Sequence, residues 1–354
     1  MRAVVARQGA VHVEIVDEPA PGAGQVVVRS LANGICGSDL HVLEVQRADP
    51  VVLPSMVLGH EFCAELLDHG PDTTRQLAPG TLVCSVPFVD GPQGPELVGL
   101  SATYPGALGE RFLLQEHRLL PVPDGLDAQR AALTEPVAVG VHAVAAAQLD
   151  RDDVALVIGC GPIGLAAIAA LKLAGHGPVV ASDFSPFRRS LAERTGADVV
   201  VDPADTNPYA SWLELAGAPL PPSPLMETAE LRSLRRASTV VFDCVGAPGL
   251  LAQHVQAMPQ HSRLIVVGVC AAPDTFVPVE ALNKELAIQF VFAYRPEEFA
   301  ASLHHIADGR IDVGPWITDI CALDDAAAAF DDLSSGGPHC KVLIEPGRAS
   351  SPSV

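Results

Sequence analysis

The sequence predicts an α/β protein, with a doubly wound parallel sheet and a second, β-rich domain. Three observations lead there. The chain has 354 residues, and single hydrophobic cores stop growing at ~250–300 residues, so two domains are expected. Hydrophobic residues make up 49% of the chain but aromatics only 5%, which suits aliphatic, Ala-rich packing of helices on a sheet rather than an aromatic-rich sandwich. The pattern also changes at about Ala128, from short β-type runs to Ala-rich helical periodicity.

Taken in order, Arg2–Ala6, Val11–Val16 and Gln25–Ser30 read as short strands separated by Pro/Gly turns such as Pro19–Gly24. After the change comes a helical run, Val139–Leu149, and then a strict alternation. Strand Val154–Ile158, a glycine turn, helix Ile163–Ala174, strand Pro178–Ser182, helix Pro186–Arg194 and strand Asp198–Val201 follow one another. Such alternation implies parallel strands joined by right-handed crossovers. Ser238–Cys244 and Arg263–Val269 read as further strands of the same sheet. The Pro-rich stretch Asp202–Pro224 interrupts the rhythm and is expected to be a surface insertion. A helix is expected at Pro296–Ile306 and a last strand at Lys341–Ile344, ahead of a disordered Ser/Pro tail. There are no internal repeats.

The formal net charge of -20 would repel phosphates, so nucleic acid is not an expected partner. Val154–Leu171 is apolar and long enough to raise a membrane-spanning reading, but Gly159, Gly161, Pro162 and Gly164 interrupt it. Because Met1–Gln8 reads as a strand rather than a targeting segment, a cytoplasmic protein without membrane association is expected. None of the eight cysteines forms a C-x-x-C pair, and several lie in apolar runs where free Cys behaves as a small hydrophobe. No disulfide framework is expected.

Gly159-Cys160-Gly161-Pro162-Ile163-Gly164 is a G-x-G-x-x-G string, weak alone but here placed between a buried strand and a helix. In that setting Gly159 permits the tight turn, Gly161 lets the backbone approach a pyrophosphate, and Gly164 allows close helix–strand packing, with Pro162 and Ile163 opening the helix. Asp183 follows Gly159 by 24 residues at the end of the next strand, where a carboxylate accepts hydrogen bonds from ribose hydroxyls and repels a 2′-phosphate. NAD is therefore expected rather than NADP. Arg188 and Arg189 work against that preference, since a nearby Arg can hold a 2′-phosphate, although either also reads as a solvated helix charge. Arg188 and Val269 are kept as cofactor-contact candidates.

Upstream stand Gly34-Ile35-Cys36-Gly37-Ser38-Asp39-Leu40-His41, then Gly59-His60-Glu61, then Thr134-Glu135-Pro136. They offer a thiolate, imidazoles and carboxylates, which is the ligand set Zn²⁺ accepts while leaving a position open. Taken singly, Cys36 reads more often as a buried apolar residue, His60 as a hydrogen-bonded histidine, and Glu61 or Glu135 as surface charges.

Together these motifs resemble the zinc-containing medium-chain alcohol dehydrogenases, near the sorbitol and butanediol dehydrogenase branch. The likeness rests on GICGSDLH at Gly34–His41, GHE at Gly59–Glu61, TEPVAVGVHA at Thr134–Ala143, GCGPIG at Gly159–Gly164 and KVLIEP at Lys341–Pro346. It implies a GroES-like catalytic domain over 1–136, a Rossmann domain over 137–293, and a return to the catalytic domain over 294–354, with the active site in the cleft between them. It also implies a homo-oligomer, dimer or tetramer. Cys36 and His60 would be zinc ligands, with Glu61 and Glu135 sharing the remaining places in an order the resemblance leaves open. Asp39 would be the carboxylate that orients a ligating imidazole, with a helix cap as its plainer reading. Ser38 would touch the alcohol, His41 would pass the proton to solvent, and Lys341 would lie near the cofactor pyrophosphate unless it is only a surface lysine. One departure is clear. Many relatives carry four cysteines for a structural zinc after the strand at Thr81–Val86, but Gly80–Glu110 contains only Cys84, and Phe88–Tyr104 is a Pro/Gly-rich loop. A single catalytic zinc is therefore expected.

The reaction implied is hydride transfer between an alcohol and NAD, giving a ketone or aldehyde. A zinc-free quinone or enone reductase conflicts with the retained metal set and Asp183, and a non-catalytic protein of the same fold conflicts with the joint presence of Ser38, His41 and the ligands. Apolar Val42, Leu43 and Val51–Leu53 favour a secondary or bulky apolar alcohol over a polyol.

Overall fold

In the computed structural model, which describes residues 1–217 and 239–350, Met1–Glu135 and Phe299–Val354 form one unit and Pro136–Glu298 the other. The first unit opens with β1 (Arg2–Arg7), β2 (Ala10–Ile15) and β3 (Gln25–Gly34), then α1 (Gly37–Ala48), β4 (Met56–Val57), β5 (Glu61–His69) and β6 (Leu82–Ser85). A hairpin of β7 (Phe88–Gly91) and β8 (Gly94–Leu97) precedes β9 (Arg111–Gln115), β10 (Leu119–Pro121), α2 (Ala128–Ala131) and α3 (Thr134–Ala146).

The second unit begins within α3, at Pro136, and continues with β11 (Val154–Ile158), α4 (Pro162–Leu173), β12 (Val179–Ser182), α5 (Pro186–Thr195), β13 (Val199–Val201) and α6 (Pro208–Leu215). It ends with β14 (Thr239–Asp243), α7 (Leu250–Ala257), β15 (Arg263–Val266), α8 (Pro278–Lys284) and β16 (Ala287–Phe290), and the chain returns to the first unit within α9 (Pro296–Ala307), at Phe299. The chain then adds β17 (Ile317–Ala322), α10 (Ala326–Ser334) and β18 (Lys341–Glu345) to the first unit.

In the first unit β3 is the organising strand. It pairs antiparallel with β5 and β9 along its length and with β18 at its end, in a sheet ordered β10-β6-β5-β3-β18-β17. Val26, Val28, Phe62, Ala64, Leu66, Phe112 and Leu114 pack one core from these strands. At the end of β3, Gly34 lies opposite Glu61 of β5 on one side and Leu343 of β18 on the other. Three strand ends that are distant in sequence therefore meet where α1 begins.

The second unit is a six-stranded, all-parallel sheet ordered β13-β12-β11-β14-β15-β16. This is the doubly wound order in which the chain reverses direction next to its first strand, leaving a crevice at the carboxyl ends of β11 and β14. VALVI, VVAS and TVVFD are almost continuously buried, as strands covered by helices on both faces must be. Local signals set the helix ends. Ser185 caps α5 from the front by accepting from the Arg188 N–H, Pro186 occupies its first turn, and Gly196 closes it in the left-handed conformation.

The expected insertion at Asp202–Pro224 is not one over its described part. Pro208–Leu215 is helix α6, with Trp212 wholly buried and its indole N–H donating to the Val154 carbonyl at 2.9 Å. Asn207 accepts from the Tyr209 N–H as N-cap and Pro208 takes the first helical position, so the Asn-Pro pair starts a crossover helix instead of a loop. Residues 218–224 of that stretch, and the end of the Ser/Pro tail at 351–354, lie outside the described residues. Phe88–Tyr104, expected as a loop, contains the β7–β8 hairpin, with Val89 and Val98 packed into the core.

Candidate metal and cofactor sites

The end of β3 delivers Cys36 to the N-terminus of α1, and β5 begins with Glu61, directly after His60. Their donor atoms (the Cys36 thiol, an imidazole nitrogen of His60 and a carboxylate oxygen of Glu61) all lie within 4.8 Å of one another. His60 and Glu61 are buried and Cys36 half-buried. Asp39, in the first turn of α1 and fully buried, accepts from the Cys36 N–H at 2.9 Å through one oxygen and faces His60 Nδ1 at 3.7 Å with the other. Asp39 thus completes the capping box of α1 and lies near the imidazole without a hydrogen bond to it. On the opposite side of that ring, Nε2 lies 3.3 Å from Ser38 Oγ. His41, one turn along α1 from Ser38, is partly exposed, and its Nδ1 is 3.0 Å from Glu44.

The charge distribution of this cluster favours a cation. Burial pulls the His60 pKa down, yet Cys36, Asp39 and Glu135 together outweigh it, and the pKa lies well above its ordinary value. Burial likewise raises Asp39, against the pull of His60. Asp39 Oδ1 and His60 Nδ1 are buried with no hydrogen-bond partner. A thiolate, an imidazole and a carboxylate converging at this distance fit a Zn²⁺ ion held by three protein ligands with one open place. The fit is with Cys36, His60 and Glu61 as drawn together, and Glu135, at the second position of α3, acts on His60 electrostatically.

Lys341 is not the surface lysine of its plainer reading. It is buried, and Nζ donates to both oxygens of Glu61 at 2.6 and 2.9 Å and to the Ile35 carbonyl at 3.0 Å. An ammonium has three donors, and all three are used beside the metal cluster. The antiparallel pairing of β18 with β3 puts it there. Nothing in the local pattern KVLIEP reports a partner 280 residues away.

In the second unit, Gly159 ends β11 with φ +89, and a Cβ there would lie 2.5 Å from Val245 Cγ2. At Gly164 a Cβ would collide with the Gly159 carbonyl oxygen, so the first turn of α4 sits directly on the glycine turn. At Gly161, the N-cap of α4, a Cβ would meet nothing within 4 Å. That is open space in front of a helix N-terminus, with Pro162 and Ile163 forming its first turn, and such a place suits a phosphate. Asp183 closes the group: its carboxylate accepts from the Cys160 N–H of the glycine turn and from the Ser185 N–H, each at 2.8 Å. Arg189 is occupied, pairing with Asp202 at 2.7 Å and donating to the Asp183 and Phe184 carbonyls. Arg188 lies in the first turn of α5. Val269 is exposed, just beyond β15, with its backbone against Gly246 of the turn after β14.

A fold and a pair of sites of this kind define a zinc- and nicotinamide-dependent oxidoreductase. The family profile described as an alcohol dehydrogenase GroES-like domain matches residues 22–124, and the one described as a zinc-binding dehydrogenase matches residues 162–308. The chain is 29% identical to (R,R)-butanediol dehydrogenase of Bacillus subtilis, covering 95% of this chain and 96% of that one. It is 28% identical to sorbitol dehydrogenase of Ovis aries, over 97% and 95%. The crystal structure of 2R,3R-butanediol dehydrogenase from Bacillus subtilis superposes with a TM-score of 0.81 at 27% identity, covering 98% of this chain and 99% of that one. The chain belongs to the zinc-containing medium-chain alcohol dehydrogenases, NAD-linked enzymes acting on CH–OH donors. Among the described residues no helix is long and apolar enough to cross a membrane.

Proposed function

We propose that this chain oxidises a secondary alcohol to a ketone, reversibly, with NAD: the carbinol hydride passes to the nicotinamide and the hydroxyl proton to solvent, giving NADH and H⁺. The observation that carries the reading is the convergence of Cys36, His60 and Glu61 within 4.8 Å, with Ser38 beside the imidazole. Zinc held by Cys36, His60 and one of the carboxylates Glu61 or Glu135 supplies Lewis-acid chemistry that acidifies the substrate hydroxyl. Ser38 Oγ receives that proton and His41, one turn further on the same face of α1, passes it outward. Asp39 holds the imidazole in orientation from Nδ1, leaving Nε2 toward Ser38 and the ligand position.

NAD rather than NADP is supported by Asp183 held over the glycine turn and by the engagement of Arg189 with Asp202. Val42, Leu43 and Leu53 pack into the core of the first unit while Val51 and Val52 are exposed, so the apolar wall expected from them is not supported, and the preference for a secondary alcohol rests on the similarity to a butanediol dehydrogenase. The enzyme is read as cytoplasmic and homo-oligomeric. Support for assembly comes from β16, which among the described residues is paired on one side only, with Phe290 at its end and Leu282 and Phe292 near it exposed.

A panel of primary alcohols, secondary alcohols and polyols, assayed for formation of NADH and of NADPH, tests the function. Secondary alcohols with NAD should give the highest kcat/KM. Turnover of none of them, or equal efficiency with NADP, would refute this reading.

A further inference from the structure

Behind the turn that follows β14 lies a buried polar chain that the reaction above does not use. Asp243, the last residue of β14, is 1% exposed, His254 of α7 is 0% and Tyr209 of α6 is 4%. One Asp243 carboxylate oxygen accepts the N–H groups of Val245 and Gly246 at 3.0 and 3.1 Å. The other faces His254 Nε2 at 3.4 Å. His254 Nδ1 in turn lies 2.8 Å from the Tyr209 hydroxyl, the two rings meeting edge-on with centroids 6.0 Å apart. The main-chain oxygen of Asp243 accepts from Val267 and Gly268 at 2.9 and 2.8 Å.

The turn held in this way has no slack. Val245 fills the space that a side chain at Gly159 would need, the Cys244 N–H donates to the Ile158 carbonyl at 2.9 Å, and the Gly246 backbone packs on those of Gly268 and Val269. It is wedged between the ends of β11 and β15, at the crevice where a doubly wound sheet binds its dinucleotide. A carboxylate buried this deeply keeps its charge only with partners. Burial raises the Asp243 pKa, but His254 and the two turn amides overcome that and hold it below its ordinary value.

We infer that Asp243, His254 and Tyr209 are positioning residues for the nicotinamide cofactor, fixing the Cys244–Val245–Gly246 turn against the glycine turn without touching the cofactor themselves. The inference rests on the NAD reading above. Removing His254 leaves the buried carboxylate half-partnered, so the turn relaxes and the crevice loses its shape. Because the turn is shared by three strand ends, the effect falls on cofactor affinity.

The test is fluorescence titration of the purified protein with NADH, alongside zinc content and steady-state kinetics with varied NAD. His254→Leu, close in volume but apolar, should weaken NADH binding about tenfold, the scale of taking one partner from a buried charge. Most of its kinetic loss should appear in KM for NAD rather than in kcat, with zinc content as in the wild type. His254→Gln, which keeps a donor toward Asp243, should recover most of the affinity, and Tyr209→Phe should weaken it by about threefold. NADH affinity within twofold of wild type in both His254→Leu and Tyr209→Phe overturns the inference, and Tyr209→Phe alone decides the matter if His254→Leu does not fold. A wild-type protein that fails to bind NADH would overturn the cofactor reading and the inference with it, a result distinct from unaffected variants.

Discussion

Cys36 owes its position to three backbone facts: it leaves β3, it caps α1, and its N–H is held by Asp39 at 2.9 Å. Its thiol can therefore be altered without disturbing the cofactor unit, since Gly159, Gly161, Gly164 and Asp183 belong to another sheet. Cys36→Ser should lose turnover and bound zinc, because a serine hydroxyl stays protonated where a thiolate donates, while NADH binding persists. Metal analysis paired with NADH fluorescence separates the outcomes. Wild-type activity in the stripped variant would refute the metal mechanism, and loss of both properties would make Cys36 a structural residue. Lys341 illustrates a limit at this scale. Its buried pairing with Glu61 depends on strands 280 residues apart, and a lysine that opens a terminal strand carries no local mark of such a partner.

Among elements, the glycine turn and α4 were legible because their geometry is local. Strand, turn and helix lie within twenty residues, and Gly164 answers to Gly159 five positions back, although the side chain that crowds Gly159 is the distant Val245. Two substitutions separate structure from binding here. Gly164→Ala forces a Cβ into the Gly159 carbonyl and should destabilise the second unit by about 1–3 kcal/mol. Gly161→Ala meets no atom of the protein and should leave the melting temperature near wild type, yet weaken NADH binding by obstructing the helix N-terminus. Calorimetry and NADH titration on both variants check this. A Gly161→Ala protein that binds NADH normally would remove the phosphate reading of that space. Helix α6 was illegible for the opposite reason. Prolines at 203 and 208 look like loop punctuation until Trp212 is seen bonded to Val154, a contact 58 residues long.

For the molecule as a whole, the edge of β16, unpaired among the described residues and with Phe290 and Phe292 exposed, bears on assembly. If copies associate there, Phe290→Lys should shift sedimentation toward the monomer while zinc stays at one ion per chain, the number expected from a Gly80–Glu110 segment with Cys84 as its one cysteine. An unchanged oligomer would place the interface elsewhere, and two tightly bound zinc ions would require another set of ligands. The sequence by itself determined the fold class, the strand, glycine turn and helix with Asp183 after the next strand, and Cys36 and His60 as candidate ligands, because each is written in local periodicity or in a short motif. Tertiary structure alone decided that Lys341 pairs with Glu61, that Asp39 both caps α1 and faces His60, and that Tyr209, His254 and Asp243 form one chain. Those contacts come from strand register and from helices crossing a sheet. Register and crossing are set by the burial of whole faces, so the residues they bring together share no sequence neighbourhood in which the pairing could be read.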